Sequence, residues 1–169
     1  MAAALSGCRT ILTVGSGADR AAARELALKI EEAAWIPTTM RDLETLLHGH
    51  LPATDESTGL VLLLTDRDGR EERLMRSRQA LQAARVIGLR AAAIVSRDVD
   101  AALPAELTPA GRLVVEEAPT LSAPMAALIG TATPLQLLTE RIARALGRNP
   151  DLIRREDATY RRAAEAAGS

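Results

Sequence analysis

The sequence predicts an α/β fold: a three-layer sandwich on a five-stranded parallel sheet, doubly wound, with a flavodoxin-like strand order. Two observations carry this. Short apolar runs recur along the chain, nearly continuous rather than alternating, as strands buried on both faces read. Helical stretches alternate with them, and a βαβα alternation specifies a parallel sheet covered by helices on both sides. At 169 residues the chain suits one domain with a sizeable core.

The elements follow in order. "TILTV" (10–14) is the first strand, and "ADRAAARELALKIEEAAW" (18–35) the helix after it. "PTTMR" (37–41) is a shorter strand, followed by a connecting segment over 42–54. "GLVLLLT" (59–65), "AAAIVS" (91–96) and "RLVVEE" (112–117) supply the other three strands. A charged helix spans 69–88, and a long apolar one spans 122–147, which Pro134 is expected to kink or divide. The polar tail, 149–169, is expected to leave the sandwich and to dock or fray. Ligands on such sheets sit beyond the carboxyl ends of the strands. Three segments occupy that edge: "GSGADR", 42–54 and "TDRDGR".

Composition removes several functions. The formal net charge is −1, which gives no drive toward nucleic acid or an anionic membrane. Trp35 and Tyr160 are the only aromatic residues, so the stacking platforms of single-strand binders are missing. One cysteine, Cys8, excludes an internal disulfide and a cysteine-based zinc site, and its apolar neighbourhood suits a buried small hydrophobe. No segment has the ~20 apolar residues of a membrane span, and "MAAALSG" lacks a basic flank, so a cytoplasmic location is expected.

Four stretches could carry chemistry. In "VGSGADR", Gly15, Ser16 and Gly17 join strand to helix, either as a tight turn or as a loop whose amides face a ligand. The third glycine of a dinucleotide fingerprint is missing and no Walker loop exists, so no cofactor is called for. In "ELALKIEE", Glu25, Lys29 and Glu32 share one narrow arc, with Leu26, Ile30 and Ala33 on another face. That stripe is either a solvated salt-bridge row or a carboxylate base beside an ammonium. "TDRDGR" offers Thr65, Asp66 or Asp68 as helix caps and is a poor anion cradle, and the charged helix after it reads as a solvated face. "HGH" places both histidines, His48 and His50, around Gly49, but a metal site needs a third ligand, so no metal is assigned.

Taken together, "GSG", "ELALKIEEAAWI", "HG", "APMAALIGTATPLQLLTERIARALG" and "NPD" resemble the sugar isomerase (SIS) domain family. The likeness is to the second SIS domain of glucosamine-6-phosphate synthase and fructosamine-phosphate deglycase proteins, and it spans nearly the whole chain. It divides the chain into a single SIS domain, 1–148, and a tail, 149–169. It implies binding of a phosphorylated keto- or amino-sugar and a part in isomerisation, aminotransfer or deglycation. Lys29 and Glu32 match the family's K-x-x-E pattern, the glutamate being the base that moves a proton between C1 and C2. His48 matches the ring-opening histidine, contributed across a dimer interface, and Glu25 a supporting partner of Lys29. Ketose–aldose interconversion needs such a base, a cation for the enediolate oxygen and an acid–base group for ring opening.

Three positions depart from the pattern. The tail lysine is replaced by Arg154 or Arg155, which can hold a phosphate or hydroxyl but cannot form a Schiff base. His50 stands at the family's proline, and "TDRDGR" stands where a first SIS domain carries its Ser/Thr-rich phosphate loop. The resemblance therefore implies half of a two-SIS-domain unit, as a homodimer or paired with another SIS domain. The alternative is a non-catalytic sugar-phosphate-binding regulatory or dimerisation module.

Overall fold

The computed structural model describes residues 1–168. Five strands form one sheet: β1 (Thr10–Val14), β2 (Thr38–Arg41), β3 (Thr58–Leu64), β4 (Arg90–Ser96) and β5 (Arg112–Val115). Their order is β2-β1-β3-β4-β5 and every pairing is parallel. Five parallel strands in a flavodoxin-like order are therefore present as expected. The helices are α1 (Ala2–Ser6), α2 (Asp19–Ala34), α3 (Leu43–Thr45), α4 (Arg70–Ile87), α5 (Arg97–Ala102), α6 (Ala123–Ala145) and α7 (Ala158–Ala167).

The continuous apolar strands work because successive side chains leave opposite faces of the sheet. Val61, Leu63, Ala92 and Ile94 pack on one side against Leu26 and Ile30 of α2 and Leu135, Leu138 and Ile142 of α6. Leu60, Leu62, Leu64, Ala93 and Val95 pack on the other, against Leu81 and Ala84 of α4. All seven residues of β3 are buried, since it lies mid-sheet. Cys8 is buried among the first group, and burial pushes its thiol pKa up.

Local chemistry sets the ends of the elements. α4 stops at Gly88 (φ 94), where the Leu89 amide donates to the Ala84 carbonyl at 2.9 Å and that of Gly88 to Arg85 at 3.2 Å, a Schellman closure. α2 stops instead at Trp35 in the left-handed region (φ 51), and Pro37 then holds Ile36 out of the helical region. α6 runs unbroken through Pro134, contrary to the expected division. The proline's lost hydrogen bond falls on Gly130, whose missing side chain lets the helix lie on Val115, where a Cβ would come within 2.8 Å.

Candidate functional site

The glycine loop after β1 lies at the carboxyl edge of the sheet. A Cβ on Gly15 would stand 2.7 Å from the Asp19 carbonyl oxygen. Gly17 adopts φ 61, and a Cβ there would meet Arg73 Nη1 at 2.6 Å and Asp66 Oδ2 at 2.8 Å. Ser16 Oγ accepts from the Leu43 amide at 3.1 Å, tying the loop to α3. Gly15→Ala is expected to cost roughly 1–3 kcal/mol, because the obstacle is backbone and not a flexible side chain. A urea midpoint equal to wild type would refute this.

The amide that an anion would seek here is already engaged. Ala18 N–H donates to Asp66 Oδ2 at 2.9 Å, and Arg73 Nη1 donates to the same oxygen at 2.9 Å and to the Ser16 carbonyl at 3.3 Å. Burial raises the Asp66 pKa, but the Ala18 and Asp68 amides and the Arg73 guanidinium outweigh it and hold the carboxyl below its ordinary value. An internal carboxylate thus sits at the positive end of α2. This corrects two expectations. α4 begins after Gly69 with no side-chain cap, so Thr65, Asp66 and Asp68 do not cap it. Nor is α4 wholly solvated: Arg73 turns onto Asp66, and Arg70 Nη1 pairs with Glu117 at 2.6 Å. A cleft of about 540 Å³ beside Gly17 carries Arg20 and Arg24.

The stripe on α2 forms as the helical spacing requires. Lys29 Nζ lies 2.7 Å from Glu32 Oε2 and 3.9 Å from Glu25 Oε1, while Leu26 and Ile30 are fully buried. The hydrogen bond to Glu32, partly offset by desolvation and supported by the charges of Glu32 and Glu25, raises the Lys29 pKa. Lys29 is therefore a fixed cation, suited to stabilising an oxyanion. Glu32 stands on a ridge between two shallow clefts. One, of about 340 Å³, holds Lys29, Gln136, Thr139 and Asp151, and the other, of about 370 Å³, holds Trp35, Arg154 and Tyr160. Lys29 and Glu32 lie more than two helical turns below the glycine loop, away from the strand-end edge.

His48 lies elsewhere. The segment expected to be a loop is helical, with a π-helical turn over Leu46–His50, and Gly49 needs no left-handed backbone. His48 is exposed on the α4 side of the sheet. Its Nε2 lies 3.2 Å from Arg76 Nη2 and 3.4 Å from Glu44 Oε2, while Arg76 grips Glu44 through two bonds of 2.6 Å. An arginine can only donate, so toward Arg76 the imidazole nitrogen accepts. The clefts that hold Lys29 and Glu32 do not include His48. Among the described residues, no three His, Cys, Asp or Glu groups converge as a metal site requires.

The tail docks at the lower end of α2. α6 closes on Gly147 (φ 67), with the Arg148 amide donating to the Ala143 carbonyl at 2.9 Å. A turn over Pro150–Leu152 leads to Ile153 (φ 45) and Arg154 (φ 60), both left-handed. Arg154 stacks on Trp35 and Tyr160, whereas Arg155 is exposed and lines neither cleft. Sequence reasoning missed Arg148, Trp35 and Asp19. That Trp35 and Tyr160 would both face Arg154 was not readable from spacing, and the aspartate that opens α2 reads as an ordinary first-turn acid.

Residues 4–103 match the SIS domain family. No curated protein matches the chain significantly. Among solved structures, the C-terminal domain of glucosamine-fructose-6-phosphate aminotransferase from Francisella tularensis is 23% identical with TM-score 0.70, the match covering 88% of this chain and 39% of that one. Tagatose-6-phosphate ketose/aldose isomerase from Escherichia coli is 22% identical with TM-score 0.59, covering 86% and 38%. The Vibrio vulnificus NanR protein complexed with ManNAc-6P is 13% identical with TM-score 0.66, covering 94% and 57%. The chain thus spans well under half of the first two, and at these identities the likeness is one of fold.

Proposed function

The chain belongs to the SIS domain family, and from that premise we propose that it binds a phosphorylated keto- or amino-sugar and contributes acid–base residues to isomerisation, aminotransfer or deglycation. One observation carries the proposal: the Lys29–Glu32 pair at 2.7 Å, with Glu32 lining both the cleft that holds Lys29 and the one that holds Arg154. Glu32 is the base at C1/C2, and Lys29, held protonated, steadies the enediolate oxygen. Glu25 supports Lys29, and Arg154 binds substrate from the tail. The family pattern also places the glycine loop, Gly15 to Gly17, and Arg155 at the substrate; in this chain the loop lies more than two helical turns from Glu32 and Arg155 lines neither cleft. His48 opens the ring in a second subunit's site, which accounts for its distance from Glu32 in its own chain. The working unit is then a pair of SIS domains, residues 1–148 forming one of them and residues 149–169 its tail.

Turnover of fructose 6-phosphate and fructosamine phosphates tests this, with the oligomer mass measured in parallel. His48→Ala is expected to lower turnover at least ten-fold, while His50→Ala stays near wild type. Mixing His48→Ala with Glu32→Gln chains should restore part of the activity if the histidine acts across the interface. Equal sensitivity at both histidines, or no recovery on mixing, would remove His48 from this role.

A non-catalytic sugar-phosphate-binding module is favoured by one different observation, the Asp66 carboxylate that fills the strand-end anion position. It predicts thermal stabilisation by sugar phosphates with no turnover in any combination.

A further inference from the structure

Two guanidiniums converge on one indole at the base of the tail. Arg148 Cζ lies 4.5 Å from the centre of the Trp35 ring and Arg154 Cζ 4.7 Å from it, and Arg154 Cζ is also 3.8 Å from the centre of Tyr160. Stacking places these cations but does not neutralise them. Among the described residues, neither guanidinium has a carboxylate partner or a hydrogen-bond acceptor, and Arg148 Nη1 is buried without one. Three other inward arginines have carboxylate partners, Arg70 with Glu117, Arg73 with Asp66 and Arg112 with Asp100, and Arg41 and Arg78, each with a buried unpartnered Nε, still donate to the Met40 and Ala102 carbonyls. The nearby carboxylates are already committed, since Glu31 Oε1 accepts from the Thr38 amide at 3.0 Å and Glu32 pairs with Lys29. Burial, and then the like charge of Arg154, lower the Arg148 pKa; with no carboxylate beside them the two guanidiniums leave an excess of positive charge at this point.

We propose that Arg148, Arg154 and Trp35 form an anion site that takes the phosphate of a phosphomonoester. A phosphate carries close to two negative charges at neutral pH and matches guanidinium forks in geometry. It offsets both cations at once, which a carboxylate does not. The strand-end loop is the weaker candidate because Asp66 already holds its amide. Resting on the function proposed above, the site also orients the substrate: phosphate at the tail turn, carbon chain toward Ile153 and Glu32 along the same cleft.

Trp35 is the only tryptophan, so its emission reads the site directly. The full chain is titrated with inorganic phosphate at constant ionic strength, chloride making up the balance. A saturable change in Trp35 emission is expected. Arg148→Gln and Arg154→Gln should each weaken binding at least ten-fold, with the lysine variants intermediate. Arg24→Gln, in the cleft beside the glycine loop, should bind as wild type. Phosphate line broadening in 31P NMR gives a second measurement independent of the indole, and far-UV circular dichroism checks that each variant folds. A response no different from chloride, undiminished binding in the Arg148→Gln/Arg154→Gln double variant, or loss of binding in Arg24→Gln alone would overturn the site. Indifference to phosphate in a chain that turns over sugar phosphates would overturn it while leaving the Lys29–Glu32 assignment standing. Saturable binding lost in both arginine variants supports it whether or not any sugar turns over.

Discussion

Asp19→Ala is expected to destabilise the protein by roughly 3 kcal/mol or more, since each buried polar group left unpaired costs about 1–3 kcal/mol. Asp19 is fully buried at the start of α2. Its Oδ2 accepts from the Thr65 amide at 2.9 Å and the Asp66 amide at 3.0 Å, and its Oδ1 from Thr65 Oγ1 at 2.6 Å. Alanine leaves two buried backbone donors unpaired where β3 ends. Asp19→Asn keeps an acceptor for both amides and should recover most of the loss. The same pair of variants has a signature in pH. Burial raises the Asp19 pKa, the Thr65 and Asp66 hydrogen bonds only partly opposing it. The folded state then holds a proton to higher pH than the unfolded chain, so stability falls as pH rises from the ordinary carboxyl value through the folded one. Asp66 has the opposite sign: its carboxyl is lowered, so its contribution is present above the unfolded value and lost as pH falls through the folded one. Asp19→Asn should abolish the first dependence and leave the second. Urea denaturation across the acid range decides this, and a midpoint for Asp19→Ala equal to wild type would sink it.

Glu32→Gln is expected to lower turnover of a sugar phosphate by roughly 10²–10⁴-fold, the usual contribution of a positioned general base. The amide oxygen of this variant can still accept from Lys29, and the Glu32 side chain is 30% exposed, so thermal stability should barely change. Substrate-induced stabilisation should also persist, because neither Arg154 nor Lys29 is removed. This separation of chemistry from binding distinguishes a base from a structural carboxylate. Full activity in Glu32→Gln would end the assignment, whereas wild-type binding with no turnover in either protein would favour the non-catalytic module.

Much of the fold was legible because it depends on local pattern. The run over 59–65 reads as a doubly buried strand and β3 is buried along its length, and the helix read over 69–88 is α4, which closes at Gly88. The arc of Glu25, Lys29 and Glu32 follows from helical periodicity alone, and the structure closes it to hydrogen-bond distance between Lys29 and Glu32. The misreadings share another character. Asp66 looks like a cap for its own helix but serves the amide of Ala18, 48 residues earlier in the chain. Pro134 looks like a break, yet packing on the sheet carries α6 through it. Each turns on a partner distant in sequence.

By itself the sequence determined a parallel α/β sandwich, its helical and extended segments, and the acid–base stripe on α2, because periodicity and turn chemistry act over a few residues. Only the tertiary structure decided three things: that Asp66 occupies the glycine loop, that His48 and Glu32 stand apart, and that Arg148 and Arg154 meet on Trp35. Those depend on which loops the assembled sheet brings together. Burial then determines which charges must find partners, and the two arginines on Trp35 have found none among the described residues of the chain.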